Sequence, residues 1–146
     1  MVMFGFLCKT VMTISLRTLL GLPRFRRLCL AAACLMYATI VVWGSIPGAR
    51  ADIGQYAPGY VLHSCAYAVL AGLWFLGSTG RPAARACKAV LAIALMGAGD
   101  EFVQSFFPYR GAAVGDWAVD CAAAIVASTL FAVLLRRYVP AESPRL

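Results

Sequence analysis

An all-α integral membrane bundle of four transmembrane helices is the fold this sequence predicts, on three observations. Four apolar stretches each approach the ~20 residues needed to span ~30 Å of hydrocarbon. Hydrophobic residues make up 62% of the 146-residue chain and charged ones 13%, against roughly 25% charged in a soluble domain. The basic residues fall between the apolar stretches, concentrated in alternate connections. A soluble globule of this size could not hide so much apolar surface. Lipid is the expected partner.

The first stretch runs from Leu28 to Ile46 and is closed by Pro47-Gly48. The second runs from Gly59 to Gly77, opened by Pro58 and closed by Ser78-Thr79-Gly80. The third, Cys87 to Phe107, is stopped by Pro108, and the fourth, Ala113 to Leu135, ends on Arg136-Arg137. Apolar runs of this length read as helices, because an open strand in lipid would leave its backbone polar groups unpaired. The short loops between them make neighbouring helices antiparallel. No internal repeat, low-complexity tract or second domain interrupts the pattern. Residues 28–137 are therefore assigned to the transmembrane domain, 1–27 to an N-terminal cytoplasmic or interfacial segment, and 138–146 to a short cytoplasmic tail.

Within the N-terminal segment, Lys9, Thr13 and Arg17 repeat at i, i+4, i+8 and form one polar stripe on an apolar background. That stripe suits an amphipathic helix lying in the membrane interface; Met12 is an alternative starting residue. Arg24, Arg26 and Arg27 before the first span, with Ala49-Arg50-Ala51 after it, have the form of a signal peptide. The apolar run is longer than a usual signal core, which favours a retained span.

Orientation follows from the cations. Lys9, Arg17, Arg24, Arg26 and Arg27 precede the first span, Arg81, Arg85 and Lys88 lie between the second and third, and Arg136, Arg137 and Arg145 follow the fourth. Only Arg50 and Arg110 fall in the other two loops. The positive-inside rule places both termini in the cytoplasm and the loops around 47–58 and 108–112 outside. The protein is thus expected in the inner (cytoplasmic) membrane as a multi-pass chain. The net charge of +7 is explained by this topology, and no nucleic-acid-binding signature accompanies it. Six cysteines lie mostly inside apolar runs without a C-x-x-C pair, as small packing residues do.

Ionisable groups inside membrane helices are costly and usually mark a functional interior. His63 and Tyr67 are i, i+4 on the second helix, Glu101 and Gln104 i, i+3 on the third, and Asp116 and Asp120 i, i+4 on the fourth. Each pair shares a helix face. Counting 1.5 Å per residue from the outer ends puts His63 roughly 6 Å deep, Glu101 roughly 9 Å, and Asp116 and Asp120 roughly 4 and 10 Å. Arg110 on the outward loop can reach down to the carboxylates. Taken singly, each residue fits a structural role as interhelical glue or a clasp. Together they point to a pocket, because three carboxylates at one level repel unless protonated, paired or bound to a cation. Asp100, adjacent to Glu101, points about 100° away. It is either a second pocket residue or a partner for a neighbouring helix.

The same residues resemble a known family. From Gly97 the chain reads G-A-G-D-E-F-V-Q-S-F-F-P-Y-R, followed by Asp116 and Asp120, with His63 and Tyr67 upstream. This is similar to the VanZ-like family of small membrane proteins, whose usual pattern is H-F-x-x-Y, then E-x-x-Q-x-F-x-P-x-R, then D-x-x-x-N. The spacing from Glu101 through Gln104, Phe106, Pro108 and Arg110 to Asp116 agrees throughout, and the resemblance covers roughly residues 45–130. Three departures stand out. Gly59-Tyr60 replaces the Asp-Lys often found before the histidine, Ser64 replaces Phe, and Asp120 replaces the final Asn, adding a carboxylate. The family is named for a protein linked to low-level resistance to teicoplanin, which targets the outer-face cell-wall precursor, and the outward-facing constellation is compatible with a target at that face. The resemblance does not imply a resistance phenotype here.

The functional expectation is an outward-facing polar pocket formed by His63, Tyr67, Glu101, Gln104, Arg110, Asp116 and Asp120. It would bind or modulate a lipid-linked envelope component or a lipoglycopeptide, with Arg110 suited to a phosphate. The alternative is an intramembrane enzyme acting on a lipid-linked envelope precursor, with Glu101, His63 and Asp116 as catalytic candidates. Whether the protein is an enzyme stays open at this point. No cofactor is implied, and a divalent metal on His63, Asp116 and Asp120 belongs only to the enzymatic alternative. Without inverted repeats or broken helix pairs the chain is a poor transporter alone. The expected partners are membrane lipids, and small-residue faces such as Ala122-Ala123-Ala124 and Ala127 permit packing within the bundle or between copies.

Overall fold

The computed structural model describes residues 18–48, 58–109 and 114–138. All regular structure among them is helical. After a helical turn at 18–21 come α1 (Pro23–Gly44), α2 (Gly59–Gly77), α3 (Pro82–Gln104) and α4 (Val114–Tyr138). Three of these, α1, α2 and α4, are long and apolar enough to cross a membrane. The remaining one, α3, is 23 residues long but carries Arg85 and Lys88 near its start and Asp100 and Glu101 near its end.

Helix limits differ from the apolar runs in a consistent way. α1 begins at Pro23 rather than Leu28, and α3 at Pro82 rather than Cys87. The five residues 23–27 assigned above to the N-terminal segment are therefore helical. Proline at the first helical position lacks an N–H that would be unpaired anyway, so a helix starts there and runs through the basic residues before its apolar part begins. At the other end α3 stops at Gln104, three residues before Phe107. Phe106 N–H donates to Val103 O and Phe107 N–H to Gln104 O at 3.2 and 3.1 Å, a tightened last turn that Pro108 cannot continue. α4 extends beyond Leu135 through Arg136 and Arg137 to Tyr138.

α4 packs along both α2 and α3, α2 also contacts α3, and α1 lies chiefly against α2. The core is built from Ala33, Tyr67, Leu70, Ala71, Ile93 and Ala124, and a second cluster from Phe75, Ala89 and Ala132. Small side chains on facing helices let the backbones approach, which is how helices without a hydrophobic driving force between them associate. Gly72 leaves room for Phe131, whose ring would stand 3.0 Å from a Cβ there and stacks on Phe75 at 5.6 Å. Outward faces are apolar instead of polar: Leu28, Leu35, Leu91, Leu95 and Val126 are all exposed, Leu35 to 71%. Patches of that kind need a nonaqueous neighbour.

The bundle has two chemically different ends. Gly77 at the end of α2 meets Leu30 and the Arg26 carbonyl at the start of α1, so these helices are antiparallel. The eight described cations, Arg24, Arg26, Arg27, Arg81, Arg85, Lys88, Arg136 and Arg137, all lie toward that end. The four described acids, Asp100, Glu101, Asp116 and Asp120, lie toward the other. Exposed aromatics gather at the acidic end: Trp43, Tyr60, Phe102, Phe106, Tyr109 and Trp117. There the Tyr109 hydroxyl donates to Ser45 O at 2.7 Å, tying the chain after α3 to the end of α1.

Candidate functional site

Three helices deliver polar side chains to one buried cluster at the acidic end. On α2, His63 and Tyr67 stand one turn apart with their rings parallel, 5.9 Å between centroids and 3° between planes. On α4, the buried face repeats every four residues as Asp120, Ala124, Ser128 and Ala132. On α3 it runs Ala89, Ile93, Gly97, Asp100 and Gln104, the alternation of three and four that holds one stripe toward the core.

His63 Nδ1 lies 3.2 Å from Asp120 Oδ1, with the histidine side chain 15% exposed and the aspartate 1%. Either tautomer of the ring can serve this contact, as donor to a carboxylate or acceptor from a carboxylic acid. Gly97 makes the approach of α4 to α3 possible here: a Cβ at 97 would sit 3.2 Å from Asp120 Oδ2 and 3.1 Å from Trp117 Cδ1. Trp117 completes the seam by donating its Nε1–H to Ala94 O at 3.0 Å.

The Tyr67 hydroxyl, itself buried, donates to Asp100 Oδ2 at 3.4 Å. That is long for an O–H···O bond, whose usual range ends near ~3.0 Å. Asp100 Oδ1 is buried and has no hydrogen-bond partner. One turn further, Gln104 is 2% exposed, and both its amide nitrogen and its amide oxygen are buried and unpartnered. Buried polar atoms are nearly always paired, so these three are the unusual feature of the site. Tyr37 on α1 borders the cluster within electrostatic range of Asp100 and Tyr67. Its hydroxyl donates to Met96 O at 2.9 Å.

The seven residues singled out by sequence are placed differently. His63, Tyr67 and Asp120 come together, and Gln104 is buried one turn beyond Asp100 on the same stripe of α3. Asp116, half-buried, lies within electrostatic range of His63 and Asp120. Glu101 is half-buried, rotated off the stripe that carries Asp100 and Gln104, and it sits one turn from the helix end because α3 stops early. Arg110 lies outside the described residues. Asp100, left undecided between two roles by sequence, is the deep carboxylate of α3. Its signal was present in the 93-97-100-104 spacing of Ile, Gly, Asp and Gln. Tyr37 and Trp117 carried no comparable signal, since their roles depend on which helices become neighbours.

Chemically, two buried carboxylates face one imidazole and one phenol. His63 Nδ1 pairs with Asp120 and the Tyr67 hydroxyl with Asp100, which leaves Asp100 Oδ1 as an acceptor open to a donor from a bound group. No group of three or more His, Cys, Asp or Glu side chains among the described residues is placed to hold a metal ion, so His63, Asp116 and Asp120 do not form a preassembled metal site. The five described cysteines, Cys29, Cys34, Cys65, Cys87 and Cys121, are free thiols.

Fold and site together define an all-helical protein with three apolar helices of membrane-crossing length and a buried acid–imidazole cluster at one end. Comparison with family models, curated proteins and solved structures gives no match.

Proposed function

We propose that the chain is a four-span protein of the inner membrane, both termini cytoplasmic, resembling the VanZ-like family. Its buried cluster would bind the head group of a lipid-linked envelope component or a lipoglycopeptide. The observation that carries this reading is the unmet hydrogen-bonding capacity of Asp100 Oδ1 and of the Gln104 amide, beside the His63–Asp120 pair. Such a set suits a ligand rich in hydroxyl and amide donors, as a glycan or glycopeptide head group is. The carboxylates disfavour a bare phosphate at the same point.

A fourth span is supported by α3 itself. Its 23 residues extend about 34 Å, enough to cross. Lys88 and Arg85 reach back to the Thr79 and Gly80 carbonyls at 3.0 and 3.1 Å, as snorkelling side chains do. Asp100 turns inward to Tyr67. The cations at one end and aromatic side chains at the other match the usual marks of the cytoplasmic face and the opposite interface.

A specific observation also favours the enzymatic alternative: Asp120 orients the His63 imidazole, the arrangement that prepares a general base. It shifts the candidate base from Glu101 to His63. One experiment addresses both readings. The full chain in lipid nanodiscs is titrated with a polyprenyl-linked glycopeptide precursor and with teicoplanin, while precursor turnover is followed. Saturable binding weakened by Asp100→Asn and Gln104→Leu, without turnover, is expected. Turnover lost in His63→Gln would establish the enzyme instead, and absence of saturable binding by the parent protein would overturn the binding reading.

A further inference from the structure

A second site lies at the opposite end of the bundle. We propose that Arg26 and Arg85, where the start of α1 meets the turn between α2 and α3, bind the phosphate of an anionic lipid in the adjacent leaflet. This inference rests on the membrane placement proposed above but not on any ligand for the His63–Asp120 cluster.

Arg85 stands in the first turn of α3 and is held back over the preceding turn by its Nε–H, which donates to Gly80 O at 3.1 Å. That contact fixes the guanidinium plane but uses only one of its donors. Nη1 is buried and has no hydrogen-bond partner. Arg26 lies within electrostatic range of Arg85, and the two like charges repel. α1 is pressed against this junction, for a Cβ at Gly77 would stand 3.1 Å from Arg26 O and 2.7 Å from Leu30 Cγ. Lys88 adds a third cation to the same turn through its bond to Thr79 O at 3.0 Å. No carboxylate lies at this end among the described residues.

Two guanidinium groups brought together, one with a buried unpaired donor, lack an anion with several acceptor oxygens. A phosphate meets that need, since guanidinium donors pair with phosphate oxygens and its charge offsets both cations. Its source is a lipid because the apolar face of α1 continues outward from the junction: Leu28 and Leu35 are exposed one after the other along the helix and can lie along acyl chains. Basic pockets between helices at the cytoplasmic side bind acidic head groups in this way.

The test uses the full chain in nanodiscs of pure phosphatidylcholine or with added phosphatidylglycerol. Thermal unfolding and lipid retained in native mass spectrometry are read together. Phosphatidylglycerol is expected to raise the unfolding temperature of the parent and to remain bound. Arg85→Gln and, separately, Arg26→Gln should weaken retention roughly tenfold or more, whereas Arg136→Gln should leave it unchanged. A parent equally stable and equally loaded in both lipids would overturn the proposal, as would undiminished retention in both arginine variants. Inorganic phosphate added to detergent-solubilised protein distinguishes the source. Stabilisation equal to that by phosphatidylglycerol would overturn the lipid assignment, and none is expected.

Discussion

Asp120 on α4 closes directly over Gly97 on α3, its Oδ2 3.2 Å from where a Cβ at 97 would stand. The opposite oxygen of the same carboxylate meets His63 on α2 at 3.2 Å. One buried side chain therefore joins three helices, and the absence of another makes room for it. A bulky residue at 97 should separate α3 from α4 and disturb the His63 pair. Gly97→Leu is expected to cost about 1–3 kcal/mol, as overpacking does, read by thermal unfolding in a fixed lipid. Unchanged stability would contradict the seam.

The His63–Asp120 contact should appear as coupling. Asp120→Ala and His63→Ala each remove it, so the double variant should be less destabilised than the two single effects added. A coupling energy of about 0.5–3 kcal/mol is the range for directly interacting residues. Strict additivity in unfolding measurements would show that the two groups act independently.

Gln104 offers a sharper test because its amide is buried without partners. Leucine at this position removes both unmet groups at similar volume, so Gln104→Leu should stabilise the empty protein by about 1–3 kcal/mol. It should also weaken head-group binding. A glutamine with a purely structural role would give the reverse result in stability, which a parallel denaturation and binding experiment would reveal.

Tyr37 and Gly99 should be coupled by contact. The tyrosine hydroxyl would stand 2.7 Å from a Cβ at 99 while it bonds to Met96 O. Gly99→Ala must displace it, at a cost of about 1 kcal/mol for the lost bond offset in part by the helix preference of alanine. In a Tyr37→Phe background the same substitution should become neutral or stabilising. Failure of phenylalanine to relieve the effect would remove Tyr37 from the cluster's wall.

Substitution at the two neighbouring acids separates the depth readings. Asp100→Asn should reduce binding more than Glu101→Gln, because position 100 faces the core and 101 is rotated off it. Equal losses in a side-by-side titration would restore Glu101 to the centre of the site.

The legibility of the site in the sequence varied with the kind of information each residue required. Gly59–Gly77 was read to the residue because Pro58 and Ser78 bound an apolar run that coincides with the helix. For α3 the apolar run, Cys87 to Phe107, and the helix, Pro82–Gln104, do not coincide. The helix begins at Pro82, among charged residues, and stops at Gln104, within apolar ones. That offset leaves Glu101 one turn from the end of α3.

Sequence alone determined the apolar helices and the i, i+4 companionship of His63 with Tyr67, which depend on spacing along a single helix, and the segregation of cations toward one end, which follows from the antiparallel order of the helices. Tertiary structure decided that Asp100 and not Glu101 faces Tyr67, that Asp120 reaches His63, and that Gly97 and Trp117 shape the seam. The physical reason is rotational. Periodicity fixes angles between side chains on one helix to about 100° per residue, but the rotation of each helix toward its neighbours is set by which small residues let the backbones meet.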